Sequence, residues 1–273
     1  MQILIISSYL PSLSNGGEIR LFQLMRFLSR HHQITLFSVP YNCPLSEAVK
    51  EPLSNCKFII KNVSDYQEIR SSTKTHNKWY WRFNQAYCAF FRPLPDEVHN
   101  LFSEEIQTEL KDLIIKEDFD LIHVNQIFIW KYISWENRIP KVLSKDNVWA
   151  IYYKRLAKTL KKPTHRLWKE IEAHKISRYE TKAVRSSNVT TVVSAQDKSE
   201  LSKMVPDANI HVLSNGIDLE YFTPSDVEPN KNTLVFTGTM NWYPNVDAIL
   251  YFYNTIFPIL LRDFLDLELH IMG

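Results

Sequence analysis

Glycine is scarce in this chain, with five residues in 273. Two of them, Gly16 and Gly17, stand side by side in SSYLPSLSNGGEIRLFQLMRFL, residues 7–28, between an apolar run and a helical pattern. Cysteine is as sparse: Cys43, Cys56 and Cys88 are odd in number and lack CxxC spacing, which excludes a disulfide framework and fits a reducing, cytoplasmic setting. No stretch approaches the roughly 20 apolar residues needed to span a bilayer. The opening MQILIISSYL lacks a basic flank and is read as a strand rather than a signal peptide. One-sided charge is missing as well, since 32 basic against 30 acidic side chains leave a net charge of +2. That balance is too small to argue for nucleic acid as a general partner, and no nucleic-acid-binding module is recognisable, so none is expected. Clustered His, Cys or carboxylate ligands are absent, so no metal is expected. The GxGxxG fingerprint is also missing, and Ser38 and Val39 end the second strand where a dinucleotide-binding chain needs an acidic residue. A nicotinamide dehydrogenase is therefore disfavoured.

What the chain does have is apolar mass, 45% hydrophobic and 13% aromatic, enough to bury one large core or two ordinary ones. Periodicity divides it into strands at Ile3–Ser7, Gln33–Val39, Phe119–Val124, Lys141–Ser144, Asn188–Val193 and Asn209–Leu213. Between them lie helical patterns that start at Ile19 and cover Glu97–Lys116, Thr164–Ser187 and Gln196–Met204. Continuous apolar strands alternating with helices predict a parallel sheet covered on both faces, an α/β, Rossmann-like layout. Residues 214–231, SNGIDLEYFTPSDVEPNK, carry turn formers and no sustained period, as a connector between domains does. Alternation restarts with a strand at Thr233–Thr237, a helix at Asn245–Arg262 and a strand at Leu267–Met272. The expected organisation is a domain over 1–213, a linker over 214–231 and one βαβ unit over 232–273. Two strands and a helix cannot close a core, so that second domain is expected to be incomplete.

A strand, a glycine turn and a helix starting at that turn make an anion site, because first-turn amides are unpaired and the helix dipole is positive there. The competing expectation is a tight turn that needs left-handed or strained backbone at Asn15, Gly16 and Gly17. His123 and Asn125 lie two apart near the carboxyl end of a strand, on one face, where α/β folds usually bind ligands.

Five segments in order resemble glycosyltransferase family 4, retaining enzymes of the GT-B fold. The loop PSLSNGG resembles the family's donor-phosphate loop, and FDLIHVNQ, 119–126, its cleft-facing strand. VTTVVSAQDKSEL, 189–201, HVLSNGIDLEYFTP, 211–224, and LVFTGTMNWYPNVDAI, 234–249, are similar to the strand ending in Ser, the interdomain linker and the opening of the nucleotide-sugar domain, in the form found in exopolysaccharide clusters. The resemblance implies transfer of a sugar from a nucleotide-sugar to a saccharide or lipid-linked saccharide, without metal or other cofactor.

It also implies that the amides of Gly16 and Gly17 meet the donor diphosphate and that His123 and Asn125 are catalytic candidates, Asn125 standing where the family often has a histidine. An amide takes no proton, so Asn125 is limited to hydrogen bonding. In VLSKDNVWAIYYKR, Asp146 stands in place of the usual histidine while Asn147 keeps the match; Asp146 either accepts a sugar hydroxyl or is an exposed helix cap. Ser194, Asn215, Gly216 and Asp218 are further cleft or acceptor candidates, and Gly238 marks the donor-domain loop. From Lys145 to Arg185, twelve basic residues face four acidic ones. Its part from 154 to 185 suggests a basic amphipathic surface resting on anionic lipid at the inner face of a membrane, against the alternative of a solvated helix. The aromatic run WYWRF with Tyr87, Phe90 and Phe91, in 79–91, is expected either to cover lipid or acceptor or to pack an insertion. The family's basic pair is missing from TGTMNWYPN, and the sequence stops at Gly273, before the place where the family's Glu-x7-Glu region is expected. An incomplete chain inactive by itself, a noncatalytic binding remnant, and a UDP-sugar epimerase of the same fold are the readings that remain.

Overall fold

The computed structural model describes residues 1–40, 45–63, 93–220, 222–224, 226–240 and 242–273. Cys43, Cys88 and the aromatic run 79–91 lie outside the described residues. The chain forms two compact units, Met1–Gly216 and Ile217–Gly273.

The first unit is built on seven parallel strands: β1 (Gln2–Ser7), β2 (Gln33–Ser38), β3 (Lys57–Ile60), β4 (Leu121–Asn125), β5 (Lys141–Lys145), β6 (Val189–Val192) and β7 (Ile210–Val212). Their order across the sheet is β3-β2-β1-β4-β5-β6-β7. Among the described residues its helices are α1 (Gly16–Leu28), α2 (Glu47–Lys50), α3 (Asp96–Leu101), α4 (Glu104–Lys116), a 3-10 helix (Ile127–Ile133), α5 (Trp149–Thr159), α6 (Pro163–Arg185) and α7 (Ala195–Met204). Because strand side chains alternate, β1 feeds two cores. Ile3 and Ile5 pack with Leu21, Phe22 and Met25 of α1, whereas Leu4 and Ile6 join Ile122, Val124, Leu143 and the Ile106, Leu110 and Ile114 stripe of α4. Each fully buried side chain of this size contributes about 1.5–3 kcal/mol, which makes the middle strands the stable centre.

The helix expected over Glu97–Lys116 is two helices. Ser103 accepts from the Ile106 amide as the N-cap of α4, and the Tyr132 hydroxyl accepts from the Ser103 amide at 3.0 Å and donates to the Leu101 carbonyl at 2.7 Å. One buried phenol thus satisfies both backbone groups freed by the break. α2, β3, the 3-10 helix and α5 are additions to the elements read from periodicity.

The second unit pairs β8 (Thr233–Thr237) with β9 (Glu268–Met272) in parallel. Between them run α8 (Tyr243–Tyr251), a π-helical turn (Phe252–Ile256) and α9 (Phe257–Leu260). The expected single helix is interrupted because Pro258 has no N–H for the carbonyl four residues back, and the ladder widens ahead of it.

Candidate functional site

In the order β3-β2-β1-β4-β5-β6-β7 the chain leaves β1 toward one edge and returns to the other side of β1 at β4. The carboxyl ends of β1 and β4 therefore flank the switch point where open α/β sheets bind ligands. Register builds the site from there. Ile5 is opposite His123, Ser7 opposite Asn125, and Asn125 opposite Ser144. Their side chains share the sheet face covered by α1, and Asp146 follows two residues after Ser144.

Asp146 is the centre. Its Oδ2 accepts from Gln126 Nε2 at 2.6 Å and from the Tyr9 hydroxyl at 3.4 Å. Arg20 Nε lies 3.6 Å from Oδ1, and the Arg20 guanidinium also donates to Asn215 Oδ1 at 2.7 Å. Behind them, Trp149 Nε1 donates to Gln126 Oε1 at 3.0 Å, and Asn125 Nδ2 donates to Ser7 Oγ at 3.4 Å. Burial pushes the Asp146 carboxyl up, an effect that Arg20, Tyr9 and Gln126 offset in part. Burial, with the adjoining Asp146 charge, also raises the Tyr9 phenol.

His123 is buried beside Ile5 and its Nε2 has no hydrogen-bond partner. Burial first, and Arg20 second, lower its pKa to about 4. The imidazole is neutral at pH 7 and suited to hydrogen bonding rather than to carrying charge.

The glycine pair is resolved by geometry. Neither glycine has a positive φ, so the tight-turn expectation is corrected: both are helical residues at the start of α1, and the fold does not need left-handed backbone there. Gly17 is required for space. A Cβ on it would stand 3.0 Å from the Tyr9 hydroxyl and 3.1 Å from Asp146 Oδ2, whereas one on Gly16 would meet nothing within 4 Å. Asn15 makes no side-chain cap to α1; its amide donates instead to Glu18 Oε1 at 3.1 Å. The amide end of α1 is open at Gly16 and closely packed at Gly17.

The alternative of Asp146 as an exposed helix cap is also corrected. α5 begins at Trp149 with Val148 as N-cap, and Glu180 of α6 accepts from the Trp149 and Ala150 amides at 2.9 and 3.0 Å. The same carboxylate pairs with Lys145, both side chains fully buried. Lys145 is therefore removed from the local basic surplus, and Lys175, buried and paired with Glu172, from the basic surface.

Other expected site residues are elsewhere. Asn147 is half-buried beside Asp146. Ser194 caps α7 by accepting from the Asp197 amide at 3.0 Å. Gly216 is exposed at the end of the first unit. Asp218, in the second unit, accepts from the Glu220 amide at 3.1 Å. Gly238, also in the second unit, donates its amide to Met272 at 2.9 Å. Sequence reasoning missed Tyr9, Arg20, Gln126 and Trp149, which lie just past the strands or on helices and are brought together around Asp146 by side-chain contacts between distant segments. Among the described residues no group of three or more His, Cys, Asp or Glu side chains is placed to hold a metal ion.

Comparison with curated proteins gives no match. Among solved structures, the chain is similar to sucrose-phosphate synthase from Thermosynechococcus elongatus, with a TM-score of 0.58 and 12% identity over 87% of this chain and 55% of that one. It is similar to HepE from Anabaena in complex with UDP and glucose, with a TM-score of 0.53 and 12% identity over 100% of this chain and 70% of that one. Medicago truncatula UGT71G1 complexed with UDP-glucose gives 0.50 and 12% over 88% and 60%. The chain thus spans about half the length of the first of these. Likeness at such identities speaks to the fold, which is α/β of GT-B type. The family model for glycosyltransferase family 4 matches residues 14–221, taking in Gly17, Arg20, Gln126, Asp146 and Asn215; the chain belongs to glycosyltransferase family 4.

Proposed function

We propose that this chain serves retaining sugar transfer from a nucleotide-sugar to a hydroxyl of a saccharide or lipid-linked saccharide. The crevice between β1 and β4 is its side of the donor diphosphate. The observation that carries this is Arg20, one turn beyond Gly17 on α1 and held by Asp146 and Asn215 next to the open amide end at Gly16. As the sugar leaves, negative charge grows on the diphosphate. The first-turn amides and the guanidinium are fixed donors that stabilise it without reorganising, and a planar guanidinium suits two phosphate oxygens at once. Neutral His123 and Asn125 lie deeper and contribute hydrogen bonds only. The UDP and UDP-glucose complexes among the similar structures support a nucleotide-sugar donor.

The acceptor end of this reading is placed at the inner face of a membrane, with the exposed Lys154, Arg155, Lys158, Lys161, Lys162 and Arg166 of α5, α6 and their turn toward anionic lipid. Titrating the labelled chain with UDP tests the donor half. The Gly16 and Gly17 amide resonances should shift, and Arg20→Gln should weaken binding about tenfold, equivalent to ~1.4 kcal/mol. Shifts confined to other residues would remove this crevice from the donor site.

A further inference from the structure

Gln126 is the only non-glycine residue with a positive φ among the described residues, at φ 85° and ψ 146°. That region is close to glycine-only, and a side chain is kept there only when its surroundings hold it. The local need is a sharp exit from β4: the Gln126 amide still completes the ladder by donating to the Ser144 carbonyl at 3.0 Å, and the next residues enter the buried 3-10 helix. Glycine would make that exit without strain. What glycine cannot supply is the side chain, which is buried and bonded at both ends, to Asp146 through Nε2 and to the Trp149 indole through Oε1. The indole fixes which end of the amide is oxygen, so the nitrogen must point at the carboxylate.

We propose that Gln126 is a positioning residue whose strained backbone is retained so that its side chain locks the Asp146 carboxylate against Arg20, aiming the guanidinium at the donor phosphates. The aiming step rests on the donor-site reading above; the hold on Asp146 does not. Asp146 has two oxygens with different tasks. Oδ2 is taken by Gln126 and Tyr9, which leaves Oδ1 as the face toward Arg20. Without Gln126 the carboxylate keeps only the long 3.4 Å contact from the Tyr9 hydroxyl on Oδ2 and can turn away from Arg20, which then keeps Asn215 as its fixed partner.

The test compares the full chain with Gln126→Gly, which suits the backbone, and Trp149→Phe, which removes the indole donor while keeping an aromatic ring against Phe128, Tyr152 and Tyr153. One measurement needs no ligand: the carboxyl of Asp146 is titrated by carbon NMR. Gln126 donates to the charged form, so Gln126→Gly raises the midpoint, and Trp149→Phe raises it less. An unchanged midpoint in Gln126→Gly overturns the proposal. The second measurement is UDP affinity, which should fall about tenfold in Gln126→Gly while thermal unfolding shows the variant still folded. A raised midpoint with unchanged UDP affinity overturns the aiming of Arg20. A parent chain whose Gly16 and Gly17 amides ignore UDP overturns the donor-site reading instead, and the titration still decides whether Gln126 holds Asp146.

Discussion

The two units share a βαβ grammar and differ in what their strands can bury. In β1, five consecutive residues from Ile3 to Ser7 are buried, with helices over both sheet faces. In β8 and β9 no residue is buried, and Val235 and Ile271 are half exposed. Identical local pairing therefore yields different stability, because most of the free energy comes from covering the faces rather than from the ladder. Charge separates the units too. The second unit has Lys231 and Arg262 against eight acidic residues, so the basic surplus of the chain belongs to the first.

The largest expected effect is in native-state hydrogen exchange. Amides of Ile3–Ile6 and Ile122–Val124 should exchange about a thousandfold more slowly than those of Leu234–Phe236. Equal protection would show that the second unit has stability its buried surface does not account for.

A smaller effect comes from acid. His123 has a pKa of about 4 in the folded chain and about 6.5 when unfolded. Between these values the unfolded state binds the proton and the folded state does not, so the stabilisation is complete above about pH 6.5 and is lost as pH falls toward 4. At most about 3 kcal/mol is at stake. His123→Leu should flatten this part of the stability profile, and the same change at exposed His270 in the second unit is the control. A profile with the same slope in both variants would put the acid sensitivity elsewhere.

The smallest effect per residue concerns lipid. Replacing Lys158, Lys161 and Lys162 by Gln should weaken sedimentation with anionic vesicles by about 1 kcal/mol for each charge, while Lys231→Gln leaves it unchanged. Native chain that sediments equally with neutral vesicles, or with neither kind, removes the electrostatic surface from the proposal.

Much of the sheet was legible because its strands are apolar on both faces: Gln33–Val39 was expected and Gln33–Ser38 found, and Thr233–Thr237 agrees residue for residue. β3 was not, since KFII is too short to show a period. The site was legible only where one segment carries it, as at Gly16 and Gly17. Tyr9 and Asp146 are 137 residues apart, and nothing local in YLPS or KDNVW says that they touch. Even the glycines were read for backbone freedom or phosphate approach, whereas the contact that restricts Gly17 comes from those two side chains. Asp146 looked like a cap because the true partner of the α5 amides is Glu180, on another helix.

That glutamate has a consequence for anyone recombining this protein. Glu180 ties the start of α5 and the last residue of β5, next to Asp146, to the C-terminal third of α6. The 23-residue α6 is therefore not an interchangeable cassette. A chimaera that imports a homologous helix without a carboxylate at this point leaves Lys145 buried and unmatched one residue from the crevice, and the fault would surface as a damaged site although every grafted residue lies outside it.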